Sequence, residues 1–155
     1  MGDTQLLKSA KNKAAKYCAY QERTQQEVRD KLYKWGYYGD DVEEVIAFLI
    51  SEGFVNEERY AIAYVRGHFN QKKWGRLKIK MGLQQKDISP YCIKKGLAEI
   101  NNTAYEEAIE SLLKKKYNQL SGEDLYVKKN KSVRYVMQKG FEPNLIWEIA
   151  NSLFK

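Results

Sequence analysis

A chain of 155 residues, 43% hydrophobic and 13% aromatic, is long enough for one domain or a few small modules and too apolar for disorder. Two cysteines, Cys18 and Cys92, one histidine and no C-x-x-C argue against a disulfide framework and a structural zinc site, and a net charge of +7 points to an anionic partner. No apolar run is long enough to span a membrane and Met1–Lys13 lacks a secretory apolar segment, so a cytoplasmic protein with reduced thiols is expected.

Residues 1–12 are polar and read as a flexible leader. A first helix follows, with Ala14, Ala15, Tyr17, Cys18 and Ala19 at apolar spacing, ending near Arg23. Thr24-Gln25-Gln26-Glu27 has the form of a capping box opening a second helix, with Val28, Leu32 and Trp35 at helical spacing. Gly36 stops it as a left-handed residue with Tyr37 as apolar follower. Asp40 is the expected cap of a third helix, its acids Asp41, Glu43 and Glu44 suiting the positive end of the dipole. That helix presents Val42, Val45, Ile46 and Leu49 and ends at Gly53-Phe54. Asn56 caps a fourth helix carrying Ala61, Ala63, Tyr64 and Val65. A loop around Phe69–Lys72 leads to a fifth, roughly Lys73–Lys86. Ser89-Pro90 is a strong start signal for a sixth, lined by Cys92, Ile93, Leu97 and Ile100. After a turn at Asn101-Asn102, a second capping box at Thr103–Glu106 opens a seventh, with Ala108, Ile109, Leu112 and Leu113. Ser121-Gly122 breaks the chain, Asp124–Lys139 forms an eighth helix, and Pro143 opens a ninth with Leu145, Ile146, Ile149, Ala150 and Leu153 inward. No alternating run asks for a strand.

The stops repeat. Gly36-Tyr37, Asp87-Ile88 and Gly140-Phe141 are separated by 51 and 53 residues, and Asp tolerates the left-handed conformation better than most non-glycine residues. Apolar positions after each stop agree: Val42, Val45, Ile46 and Leu49; Ile93, Gly96, Leu97 and Ile100; Ile146, Ile149, Ala150 and Leu153. The chain therefore reads as all-α, three tandem three-helix repeats (13–55, 56–101 and 102–155) stacked in an elongated, curved array whose right or left bend is left open.

Charge is unevenly placed. Asp40–Glu58 holds seven acids and no base, Arg66–Lys95 nine bases and one acid, and Lys114–Lys139 eight bases and two acids. The centre of the basic region, Lys72–Leu83, is amphipathic on two sides. Trp74, Leu77 and Met81 form one apolar stripe, Ile79 and Leu83 a second, with Lys73, Arg76 and Lys80 between them. A helix apolar on two sides is expected to sit between two neighbours, as the middle of three repeats would.

Catalytic machinery is hard to find. His68 stands alone in a loop without a nucleophile at telling spacing, and no Gly-Lys-Ser/Thr phosphate loop or G-x-G-x-x-G occurs. The acids at Asp40–Glu44 lack the alternation of a calcium loop and read as first-turn residues, as do Glu106, Glu107 and Glu110. No enzyme activity, metal or cofactor is expected. The candidate binding residues are Arg66, Lys72, Lys73, Arg76, Lys78, Lys80, Lys94, Lys95, Lys114, Lys115 and Lys116, cations suited to tracking a phosphate backbone or an acidic protein surface. Trp74, Phe69, Tyr64 and Tyr117 among them could stack on bases, though Trp74 on its stripe reads as core.

Five phrases resemble the RecX family, regulators of the RecA recombinase: Thr24-Gln25-Gln26-Glu27-Val28 through Leu32 to Gly36-Tyr37; Glu52-Gly53-Phe54-Val55-Asn56-Glu57-Glu58-Arg59-Tyr60-Ala61; Lys73-Trp74-Gly75-Arg76-Leu77-Lys78-Ile79; Leu83-Gln84-Gln85-Lys86-Asp87-Ile88; and Lys139-Gly140-Phe141. The match runs from about Ala14 to Leu153. Glu57, Gly82 and Asp87 depart from the Asp, acid and Gly usual there. The resemblance implies three tandem three-helix repeats and a monomeric modulator lying in the groove of a RecA–DNA filament, reducing its ATPase and strand exchange, with single- or double-stranded DNA met through the backbone. A free-standing nucleic-acid-binding module and a helical adaptor between proteins are the competing readings.

Overall fold

The computed structural model describes residues 2–155, in which nine α-helices and no strand occur. They are α1 (Gly2–Tyr20), α2 (Gln25–Lys34), α3 (Asp40–Ser51), α4 (Glu57–Asn70), α5 (Arg76–Gln85), α6 (Pro90–Leu97), α7 (Asn102–Gln119), α8 (Leu125–Gln138) and α9 (Pro143–Leu153). No helix among the described residues is long and apolar enough to cross a membrane. The accessible surface is 9702 Å², against about 8,100 Å² for a compact chain of this mass, an excess that fits an extended arrangement.

The sequence signals act where expected at most helix ends. Thr24 and Glu27 form the reciprocal capping box, with Thr24 Oγ1 accepting from the Glu27 amide at 3.0 Å and Glu27 Oε1 from the Thr24 amide at 2.9 Å. Asn56 and Ser89 cap α4 and α6 through their side chains, and Pro90 and Pro143 open α6 and α9. The three repeated stops are left-handed, with φ of 95° at Gly36, 59° at Asp87 and 92° at Gly140. At the first two the follower returns to the helix, Tyr37 N–H to Leu32 O at 3.0 Å and Ile88 N–H to Leu83 O at 3.2 Å. Asp87 thus does the work of a glycine.

Several expectations are corrected. The segment read as a flexible leader is helical from Gly2 on, Met1 lying outside the described residues. Ala10, Ala14 and Cys18, spaced i, i+4, i+8, are buried and bring α1 against α3. Ala14 and Cys18 lie on the apolar face expected of the first helix; Ala10, among the lysines of the supposed leader, extends it. Gly39, not Asp40, is the cap of α3, and Asn101, not Thr103, caps α7 by accepting from Ala104 N–H at 3.0 Å. Phe69 and His68 belong to α4 rather than to a loop, and the basic helix begins only at Arg76, because Lys73 (φ 57°) turns the chain and Gly75 takes the cap position.

Two separate cores form. Val28, Leu32, Val42, Val45, Ile46 and Leu49 close repeat 1 on α1. A second, larger cluster runs without interruption through repeats 2 and 3, from Ala61, Val65, Ile79 and Leu83 to Ile109, Leu113, Val136, Phe141 and Ile146. Between repeats 1 and 2 the described links are polar: Arg59 Nε donates to Glu22 Oε2 at 2.6 Å, and the Gln25 amide to Glu57 Oε2 at 3.2 Å.

Candidate interaction surface

The basic helix α5 starts with a glycine cap that has no side chain to satisfy its first amides. Repeat 3 supplies the acceptors. Gly75 N–H donates to Lys139 O at 2.8 Å, Leu77 N–H to Gly140 O at 2.9 Å, and Arg76 N–H to Tyr105 Oη at 2.9 Å. The positive end of α5 therefore abuts the carbonyl end of α8, a favourable dipole arrangement. The approach needs glycine on both sides: a Cβ on Gly75 would sit 2.4 Å from the Gly140 backbone, and one on Gly140 would sit 2.3 Å from Lys78 Cβ.

This joint consumes Arg76. Its Nη1 donates to Glu142 Oε2 at 3.0 Å, its Nη2 to Asn102 Oδ1 at 2.9 Å, and its guanidinium lies 3.9 Å over the Tyr105 ring. Tyr105 Oη in turn donates to Glu142. Burial first, and the Glu142 carboxylate second, push the Tyr105 pKa up. Because its carboxylate serves Arg76 and Tyr105, Glu142 makes no side-chain cap of α9.

The two apolar stripes of α5 have different fates. Ile79 and Leu83 are fully buried, whereas Leu77 and Met81 remain 49% and 58% exposed. One side of α5 is packed, so the expected wedging between two neighbours does not occur. Trp74, which precedes the helix, is half-buried against the shared core, with its ring 4.6 Å from that of His68 and capped by Lys78 at 4.4 Å and Lys72 at 5.3 Å. His68 stacks on Tyr64 at 3.8 Å, and its Nδ1 lies 2.8 Å from Tyr64 O, an acceptor that makes this nitrogen the protonated one. Gly82 admits this column, since a Cβ there would meet Tyr64 Oη at 2.1 Å. Phe69 stacks on Tyr105 and Tyr117 on Phe154. All four aromatics considered for base stacking are thus engaged within the protein.

The remaining candidates divide by partner. Arg66 pairs with Glu99, Lys114 with Glu110 at 2.9 Å, Lys95 lies over Tyr91 and Lys116 over Tyr135. Lys73 is exposed, over Phe69 at 5.9 Å. Lys80, Lys94 and Lys115 are exposed and have no acid partner among the described residues. Lys80 and Lys94 face each other across a groove between α5 and α6. In repeat 3, Lys116 shares a concavity with Lys131 and Arg134 of α8. These two α8 cations, three residues apart on one helical face, were not among the candidates; Lys131 is paired with Glu123 at 2.8 Å, and Arg134 is exposed with no acid partner among the described residues. Their spacing was visible, but their meeting with Lys116 depends on how α7 and α8 cross.

Among the described residues no cluster of His, Cys, Asp or Glu could hold a metal. The only strongly shifted thiol, Cys18, is pushed up to about 11 by burial, away from nucleophilic use. The fold and surface define an all-helical repeat protein with cations on the surfaces of repeats 2 and 3. The comparisons place it more closely: the chain matches the first three-helix domain of RecX over residues 10–49, the second over 56–97 and the third over 104–149. It belongs to the RecX family. It is 32% identical over 149 residues to the regulatory protein RecX of Clostridium acetobutylicum, a match covering 94% of this chain and 69% of that protein. With the Clostridium tetani protein it shares 32% over 145 residues, 92% of this chain and 64% of the relative. The crystal structure of RecX from Lactobacillus salivarius superposes with a TM-score of 0.87 at 31% identity, covering 95% of this chain and 96% of that one. A second RecX crystal structure shows the same fold at 22% identity and a TM-score of 0.87, covering 97% and 74%.

Proposed function

We propose that this chain modulates the RecA recombinase by binding in the groove of the RecA–DNA filament, lowering its ATPase and strand-exchange rates. It does so as a cytoplasmic monomer, by binding alone. The observation that carries this reading is membership of a family of regulatory proteins through all three repeats, in a chain whose unpaired cations are spread along two rigidly joined repeats. Of the candidate cations, Lys80 and Lys94 of repeat 2 and Lys115 of repeat 3 are exposed and left free for a polyanion, with Lys73 over Phe69 and Lys72 and Lys78 held beside Trp74. Cations distributed along an extended surface suit a helical groove lined by protein and phosphate. Arg66, Lys95, Lys114 and Lys116, each engaged by an internal partner, contribute field more than direct contact.

The test is RecA's single-stranded-DNA-dependent ATPase with this protein titrated in. The rate is expected to fall to a plateau at saturating ratios. No change at saturation overturns the proposal. Salt-sensitive binding to bare DNA without any effect on the ATPase would point instead to a stand-alone nucleic-acid-binding repeat protein.

A further inference from the structure

Helices α5 and α6 enclose a groove of about 470 Å³. Lys80 and Gln84 form one wall, Pro90 and Lys94 the other, and Ile88, Ile93 and Leu97 the floor. No acid lines it. Lys80 and Lys94 sit on opposite walls, and neither is paired with an acid or laid over an aromatic ring among the described residues. On α5, Leu77 and Met81, the stripe that the core leaves exposed, stand within one helical turn of the wall residues Lys80 and Gln84. On α6 the groove adjoins Tyr91, 62% exposed. An apolar floor with exposed apolar residues beside it, and a free cation on each wall, is more than a solvated basic face, and exposed apolar surface of this kind marks an interaction site.

The chemistry selects the occupant. Single-stranded nucleic acid calls for aromatic platforms beside its cations, and duplex DNA for cations in rows. Here the floor is aliphatic and each wall contributes one cation. An aliphatic floor with one cation on each wall complements a protein segment with an apolar anchor between carboxylates, the helix-in-groove mode of recognition. We infer that the α5–α6 groove docks an acidic amphipathic segment of the protein partner, its apolar side chains on Ile88, Ile93 and Leu97 and its carboxylates on Lys80 and Lys94. This rests on the regulatory reading above and assigns the groove to the protein component of the filament rather than to its DNA. Lysine stems along the walls add apolar contact beneath each charge.

Two variants separate charge from shape. Lys80→Glu with Lys94→Glu reverses the walls, and Gln84→Trp fills the groove without changing its charge. Both alter side chains outside the core, so the melting transition should be kept. Each is expected to weaken binding to a RecA–single-stranded-DNA filament by about tenfold or more, while Gln84→Trp changes affinity for the bare oligonucleotide by less than about twofold. A synthetic Glu-flanked Leu-x-x-Leu helix peptide should shift the backbone amide signals of α5 and α6 in the wild type and not in Gln84→Trp, and its Lys-flanked counterpart should not bind. Filament binding unchanged in both variants overturns the inference. So does loss of filament and bare-DNA binding together in the charge reversal with Gln84→Trp unaffected, because the lysines would then be meeting phosphate. If the wild type does not bind the filament at all, the regulatory reading fails, and the peptide titration decides the groove by itself: no shift in α5 and α6 rejects it.

Discussion

Replacing Arg76 tests whether repeats 2 and 3 are locked together by the joint at α5. Arg76→Ala removes two hydrogen bonds, at 3.0 Å to Glu142 and 2.9 Å to Asn102, and a guanidinium 3.9 Å over Tyr105. Hydrogen bonds involving charged groups are worth about 1.5–3 kcal/mol, but the side chains of Arg76 and Glu142 are 28% and 32% exposed and partly screened. The expected cost is about 2 kcal/mol, a fall in Tm of about 4–8 °C for a chain of this size. Arg76→Glu should cost more, because a second carboxylate then faces Glu142. The measurement is urea and thermal unfolding followed by circular dichroism, with Glu142→Gln as the partner in a double-mutant cycle. A coupling of about 1 kcal/mol or more is expected. A cycle that closes with no coupling, or Arg76→Ala melting with the wild type, refutes the interlocked joint. One consequence concerns filament binding: a defect in Arg76→Glu reports the joint as well as any lost contact, whereas Lys73→Glu and Lys80→Glu carry no such ambiguity.

Gly82→Ala should destabilise by about 1–2 kcal/mol even though alanine is the better helix former, because the new methyl meets Tyr64 Oη. Adding Tyr64→Phe removes the atom at 2.1 Å and leaves ring carbon at 3.1 Å, so the double variant should regain most of the loss; a stable Gly82→Ala single variant would show that the column yields. Asp87→Gly should raise stability by about 0.5–1 kcal/mol by relieving a left-handed non-glycine residue, and a lower urea midpoint would contradict this. Cys18, with its thiol raised from 9.0 to about 11, binds its proton more tightly folded than unfolded. Its contribution is therefore complete below pH 9 and lost as pH climbs towards 11, on the order of 2–3 kcal/mol in all. Tyr60 and Tyr105, both raised chiefly by burial, act in the same sense. Urea midpoints should fall as pH rises from about 9 towards 11 and fall less in Cys18→Ala. At neutral pH a thiol reagent should titrate Cys92 promptly and Cys18 only on unfolding; equal rates would contradict the burial of Cys18.

Local chemistry in this chain is written locally. The Thr24–Glu27 box, the Ser89-Pro90 start, and the left-handed stops at Gly36, Asp87 and Gly140 each depend on a few adjacent residues, so spacing alone reveals the helices and their threefold repetition. The errors arise where a distant segment takes over a local role. Thr103 has the form of a cap, yet Asn101 two residues earlier holds the Ala104 amide. Ala10, inside the stretch read as a leader, carries no visible signal until α3 lies on it. Arg76 looks like any member of a basic stripe because Glu142 and Asn102 are far away in the chain.

By itself the sequence determined the all-helical class, the three repeats and the absence of recognisable catalytic motifs, because periodicity, punctuation and composition are properties of neighbouring residues; the family was legible through the resemblance of a few short phrases. Only the tertiary structure decided which cations are free. The close approach at Gly75 and Gly140 makes Arg76 part of the frame, while the crossing of α5 and α6 leaves Lys80 and Lys94 facing one another over an apolar floor. Whether a charge is spent or available depends on what lies opposite it, and that is set by packing between segments rather than by their order.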